Sequence, residues 1–169
     1  MPRTLSPAQR GVLLGMGAGL LLSPGAPALA VVRSRAPRDT LAWGTLLPLL
    51  LSIGALAKHR FFTPEDIDGS GLVAGTQKAA LLQATLQNTL EQTVLAAVVY
   101  AGFAAAAPPR FRGAIPAAVV LFLAGRLLFA RGYASGASAR APGFALTVYP
   151  TDIPAVSGVA FLTTGLLGG

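Results

Sequence analysis

The chain contains no cysteine, so it can form no disulfide, offers no thiolate metal ligand and has no cysteine nucleophile. Any sulfur chemistry has to arrive with a substrate. Charge is scarce too: 11% of the 169 residues are charged, where a soluble domain carries about a quarter. There is one histidine, His59, and neither a serine–histidine–acid set nor a phosphate-binding glycine loop. Those absences leave few ways for the protein to supply its own covalent chemistry.

What the chain does have is apolar length. It is 53% hydrophobic with a mean hydropathy of +0.64, and its charges collect in short clusters between apolar runs, the pattern of a polytopic membrane protein. The net charge of +7 does not point to nucleic acid. The arginines flank the apolar runs and form no single basic face with stacking aromatics, so anchoring to anionic lipid head groups accounts for them better.

Five segments qualify as membrane-crossing helices: Gly11–Val32, Thr40–Ala57, Gln77–Ala107, Ala114–Ala139 and Gly143–Leu167. Eighteen helical residues span about 27 Å, enough for a bilayer core. No run shows the two-residue alternation of barrel strands. The first segment has two readings. Arg3 and Arg10 before an apolar run, then Ser23-Pro24-Gly25-Ala26-Pro27 and Ala28-Leu29-Ala30, match a cleavable signal peptide. The apolar character continues to Val32, which favours a retained, kinked helix. Either way Arg33, Arg35, Arg38, Arg110 and Arg112 fall outside, and eight of the thirteen basic residues fall on the cytoplasmic side, consistent with the positive-inside bias.

Several local signals are weaker. Asp66-Ile67-Asp68-Gly69-Ser70-Gly71 opens like an EF-hand loop, but Gln77 stands where the bidentate glutamate belongs and Pro64 precedes it. The reading is a solvated acidic turn, with Glu65, Asp66 and Asp68 near Arg60 or Lys78. His59, between Lys58 and Arg60, reads as an interfacial residue and Trp43 as an interface anchor. Asp152, between Pro150 and Pro154, reads as the cap of a helix beginning at Ile153, the alternative being a broken helix beside a cavity.

The residues that matter most are polar ones at membrane depth, where ionisable groups are costly and mark a functional site by default. On the third segment Gln77, Leu81, Ala84, Glu91, Gln92 and Leu95 all lie within about sixty degrees of Asn88. On the fourth, Arg126, Phe129, Tyr133, Ala137 and Arg140 form a second stripe, with Arg131 pointing away. The connector Pro108–Gly113 is short enough to make these helices antiparallel neighbours. Glu91 is then expected to pair with Arg126, either as a structural ion pair or as part of a binding site.

At these positions the sequence resembles the membrane-associated eicosanoid and glutathione metabolism (MAPEG) family. The resemblance is carried by Leu86-Gln87-Asn88-Thr89-Leu90-Glu91-Gln92 and by Gly125-Arg126-Leu127-Leu128-Phe129-Ala130-Arg131-Gly132-Tyr133, continuing through Arg140 to Gly143–Pro150. It covers the chain from about Trp43 to the C-terminus. It implies an all-α, multi-pass integral membrane four-helix bundle over residues 39–169, with residues 1–38 an extra N-terminal transmembrane helix and loop. It also implies a homotrimer in the lipid bilayer, glutathione as co-substrate between subunits near the cytoplasmic face, and lipophilic small molecules entering from lipid as second substrates. Asn88, Glu91, Arg126 and Tyr133 would hold glutathione, and Arg140 would activate its thiol. A fixed cation lowers a thiol's pKa and so raises the reactive thiolate fraction, and arginine keeps its charge when partly buried. The chain departs from the family pattern at Ala84, where an arginine contacts glutathione, and at Gln92 and Phe129, where tyrosines stand. The expected function is a glutathione-dependent transferase or peroxidase acting on lipophilic electrophiles. The alternative is a non-catalytic member that has lost thiol binding. A bacterial inner membrane fits the short loops.

Overall fold

The computed structural model describes residues 5–22, 38–69, 72 and 74–167, with side chains for all of these except 22, 38–43, 166 and 167. Within them five α-helices follow one another: α1 Pro7–Leu22, α2 Arg38–Phe62, α3 Gln77–Ala106, α4 Ala114–Gly132 and α5 Ala137–Leu167. Three stretches, Gln77–Ala106, Pro109–Ser135 and Ala137–Gly165, are long and apolar enough to cross a membrane by length and composition. The protein is an all-helical, multi-pass integral membrane protein. The segment that would carry a signal cleavage site, the arginines at 33 and 35, the side chain of Trp43 and the Ser70-Gly71 part of the acidic turn all lie outside the described residues.

Local chemistry explains where the helices begin. Ser6-Pro7-Ala8-Gln9 forms a reciprocal cap at the head of α1: the Gln9 amide donates to Ser6 Oγ (3.2 Å) and the Ser6 amide to Gln9 Oε1 (2.8 Å). Pro7 then occupies the first helical position, where a missing N–H costs nothing. Thr76 caps α3 by accepting from the Ala79 amide at 3.2 Å. The same threonine donates to Asp66 Oδ2 (2.6 Å), and its amide donates to Asp66 Oδ1 (2.7 Å). His59 Nε2 approaches Asp66 Oδ2 at 2.9 Å. Asp66 therefore meets His59 and Thr76, not Arg60 or Lys78, because the 3₁₀ turn Pro64–Asp66 folds the carboxylate back under the end of α2. His59, read from the sequence as an interfacial residue, is half-buried and helps to staple α2 to α3 through Asp66 and Thr76.

The clamp has a pH signature. The Thr76 hydroxyl, with lesser help from its amide and from His59, holds the Asp66 carboxyl below its ordinary 3.8, against the opposing pull of burial. A depressed folded-state pKa means the ionised form is favoured in the native protein. Its stabilisation is therefore complete above the unfolded value and is lost as pH falls through the folded one. Thermal midpoints in detergent should fall on acidification below about pH 4. Asp66→Asn should start lower at neutral pH and lose that acid dependence, and parallel curves for the two proteins would rule this account out.

α5 is the organising element. It packs closely on α4 and α1 and also lies against α3, while α2 packs on α3 and α4. The α3 and α4 backbones approach each other less than their short connector suggests. Their side chains still share the core cluster of Ala96, Tyr100, Ala118, Val119 and Phe122. α5 runs unbroken through Pro142, Pro150 and Pro154. Asp152 is an exposed residue in the interior of that helix and caps nothing, since neighbouring helices let a membrane helix tolerate proline.

The expected fourth segment, Ala114–Ala139, is two elements. α4 stops at Gly132, a 3₁₀ turn covers Tyr133–Ser135, and Gly136 at φ 97° reverses the chain before α5 begins at Ala137. A positive φ of that kind suits glycine and penalises other residues. Arg140 accordingly belongs to the first turns of α5, not to the stripe on α4.

Candidate functional site

The site is built where the end of α4 turns back into α5. Close approach there depends on glycines facing each other across the two helices. A Cβ at Gly125 would stand 2.7 Å from Thr147 Oγ1 and 2.8 Å from the Gly143 carbonyl oxygen. A Cβ at Gly143 would run into the Phe129 amide, and one at Gly132 into the Ala139 carbonyl. Small residues that let backbones meet are the usual device for packing helices in lipid.

That contact positions Arg126, which is 3% exposed. Its Nη1 donates to Asn88 Oδ1 on α3 (2.8 Å) and its Nε to Thr147 Oγ1 on α5 (3.2 Å). Thr147 can accept because its own proton goes to the Gly143 carbonyl at 2.8 Å. The guanidinium also lies over the Phe129 ring, 4.3 Å from its centroid. Nη2 is buried and has no hydrogen-bond partner. A buried guanidinium N–H without an acceptor is costly, and an anionic or carbonyl group bound beside Asn88 would relieve it.

A ladder of rings and cations runs from there to the end of the bundle. Phe129 meets Tyr133 edge-on (5.3 Å between centroids), and the Arg140 guanidinium lies 4.6 Å from the Tyr133 centroid. Each cation sits over a ring face, where the quadrupole is attractive. Asn88, Phe129, Tyr133, Arg140 and Phe144, with Val12 and Met16 of α1, surround a cavity of about 390 Å³. A second hollow of about 420 Å³ lies where α2 gives way to α3 and is lined by Arg60, Asp66, Gln83, Ala84 and Gln87. Arg60 donates to Gln83 Oε1 there at 3.1 Å.

Four of the five residues singled out from the sequence are thus brought together: Asn88, Arg126, Tyr133 and Arg140. Glu91 is not. It is exposed and accepts a hydrogen bond from Gln87 Nε2 at 2.9 Å. Among the described residues the one ion pair is His59–Asp66, so the expected Glu91–Arg126 pair does not form. The buried seam of α3 carries Thr89, Thr93, Ala96, Tyr100 and Phe103. That seam lies beside the Asn88–Glu91 stripe, which leaves Asn88 at the edge of the contact and Glu91 beyond it. An amide satisfies Arg126 where a carboxylate was expected.

Sequence reasoning missed Thr147, Phe144, Val12 and Met16. For Thr147 a signal existed: a hydroxyl four residues after Gly143, a glycine that permits the helix contact. For Val12 and Met16 there was none, because nothing in one sequence says which helix α1 will lie on.

The chain is a membrane helical bundle with a buried, incompletely satisfied arginine next to the wall of an aromatic-lined cavity. The chain belongs to the MAPEG family, whose model matches residues 40–153, more than half of the protein. Members of that family are typically glutathione-dependent transferases or peroxidases. No curated protein and no solved structure matches the chain. α1 lies outside the matched residues.

Proposed function

We propose that the protein is a glutathione-dependent transferase or peroxidase acting on lipophilic electrophiles, working as a homotrimer with the α4–α5 turn at the cytoplasmic face. The observation that supports this reading most is a pair of guanidinium groups, Arg140 lining the cavity and Arg126 bonded to Asn88 in its wall. Arg126 is tied to Asn88 with an N–H to spare, and Arg140 is braced on Tyr133. Glutathione is an anionic tripeptide with a thiol, and a chain without cysteine needs one from outside.

In this reading Arg126 and Asn88 hold the polar backbone or a carboxylate of glutathione, and Tyr133 fixes the Arg140 side chain. Glu91, three residues beyond Asn88 on α3, takes the ligand's ammonium end. Arg140 lowers the thiol pKa by pairing with the thiolate. The sulfur pair then attacks the electrophilic carbon, a C–S bond forms, and the leaving group departs with its bonding electrons. With a hydroperoxide the sulfur attacks oxygen instead, and the O–O bond breaks to release an alcohol. A second glutathione then converts the sulfenic acid to a disulfide and water. The protein contributes position and a fixed field.

A second reading, a bundle that keeps the fold without binding thiol, is favoured by Ala84, which leaves the hollow beside Arg60 without the family's arginine. Titration of detergent-solubilised protein with glutathione separates the two. Saturable binding is expected, with Arg140→Ala raising the apparent pKa of the bound thiol and lowering turnover at neutral pH by roughly tenfold or more. No binding at millimolar glutathione would leave the second reading standing.

A further inference from the structure

α1 is an addition to the family's matched region, yet it is docked as closely as any helix in the bundle. Its glycines recur every four residues, Gly11, Gly15 and Gly19, and meet Ser138, Ala141 with Pro142, and Ala145 of α5 in the same order. The two helices therefore run parallel with their backbones nearly touching. A Cβ at Gly15 would stand 2.9 Å from both Ala141 Cβ and Pro142 Cδ, whereas one at Gly17 would meet nothing within 4 Å. The outward side of α1 carries Leu13, Leu14, Leu20 and Leu21, all exposed and suited to lipid.

Beside the glycine seam, one turn apart, stand Val12 and Met16. Both are half-buried and both line the cavity that also holds Asn88, Tyr133 and Arg140. Opposite them stand Phe129 and Phe144, their ring centroids 6.2 Å apart. The lining of this cavity combines cationic and hydrogen-bonding groups, Arg140, Tyr133 and Asn88, with apolar side chains from α1, Phe129 and Phe144. Asn88 in this wall also accepts from Arg126, whose Nη2 is buried without a partner.

We infer that α1 is a working wall of the site, with Val12 and Met16 determining which apolar group can lie beside the thiol. This rests on the glutathione reading above. The ligand class follows from the shape of the chemistry: a glutathionyl head at Arg126, Asn88 and Arg140, and an alkyl or aryl group packed between Met16 and Phe144. Methionine suits such a wall because its unbranched thioether adapts to varied apolar partners. The four matched helices lack this wall, so the second-substrate preference of this chain is set by an element its family domain does not contain.

S-methylglutathione and S-hexylglutathione, titrated into the full-length protein in detergent, test this, because they share the head and differ in the tail. Each methylene buried in a protein pocket is worth roughly a fourfold gain in affinity, so the wild type should prefer the hexyl compound. Met16→Trp, which fills the cavity, should weaken S-hexylglutathione by roughly tenfold or more while changing S-methylglutathione by less than about twofold. Gly17→Trp, on the open side of the same helix, should change neither. Met16→Ala shortens the wall without crowding it, and should shift preference toward S-decylglutathione with S-methylglutathione unaffected. Equal behaviour of the Met16 and Gly17 variants, with head-group binding intact, overturns this inference alone. Failure of wild type to bind any of these compounds overturns the glutathione reading and this inference with it.

Discussion

Asn88→Leu is expected to destabilise the protein by about 2–3 kcal/mol, more than the loss of the arginine it serves. Neutral hydrogen bonds between membrane helices average only about 0.6 kcal/mol. The bond from Arg126 Nη1 to Asn88 Oδ1, at 2.8 Å, is different. It supplies one of two side-chain acceptors to a guanidinium that is 3% exposed and has no carboxylate partner. Removing the amide leaves that charge with Thr147 and the Phe129 ring. Arg126→Met keeps much of the volume and removes the charge, and replacing buried ionic groups with apolar ones is often neutral or stabilising. The expected ordering in detergent melting is therefore Arg126→Met near or above wild type and Asn88→Leu well below both. Asn88→Asp, which adds a counter-charge at the same place, should recover stability. Under the proposed function both Arg126→Met and Asn88→Leu lose glutathione affinity, so binding and stability separate at Arg126 and fall together at Asn88. An Arg126→Met protein that melts as low as Asn88→Leu would show that the guanidinium is itself a net stabiliser of the bundle.

Gly143→Leu is expected to have the largest effect of any single substitution outside the site's polar groups. A Cβ at 143 meets backbone, not movable side chains: the Phe129 amide, the Gly125 carbonyl oxygen at 2.7 Å and Phe129 Cα at 2.8 Å. Overpacking a core typically costs about 1–3 kcal/mol when side chains can adjust. Here α4 and α5 would have to separate, so the cost should reach or exceed the upper end of that range. The separation would also pull Thr147 from Arg126 and open the elbow that sets Arg140 over Tyr133. Gly143→Ala should show the same loss in smaller degree. Gly102→Ala is the control: it lies in α3 with nothing within 4 Å of the added carbon, and should be neutral or gain up to about 1 kcal/mol from helix propensity. The comparison needs only melting curves and the fraction of folded protein after extraction. If Gly143→Ala and Gly102→Ala behaved alike, the α4–α5 contact would not be as close as described.

Much of the scaffold was legible in the residues. α3 begins at Gln77 and ends at Ala106, within a residue of the expected bounds, because Thr76 is a capping residue and Ala104–Ala107 runs into a diproline. Arg126 and Phe129 fall on the buried face of α4 and Arg131 on the exposed one, as the helical period requires. The turn after Gly132 is not legible in the sequence because the stretch through Ala139 is built of small residues without a charge. The signal of a break was Gly136 alone, whose φ of 97° cannot be read from hydropathy.

By itself, then, the sequence determined the class: apolar helices of bilayer length, few charges, and a polar stripe on each of two neighbours. Period and composition are properties of one segment at a time, and the chain carries them wherever it goes. Which side of a helix is covered depends on its neighbours, and only the tertiary structure decided that. It set Asn88 and Thr147 around Arg126 in place of Glu91, moved Arg140 onto the last helix and still returned it to Tyr133, and laid α1 along the cavity. The physical reason is the glycine contacts, Gly125 with Gly143 and Gly15 with Ala141. They join residues far apart in the chain, and fix a helix's rotation to within the reach of one side chain.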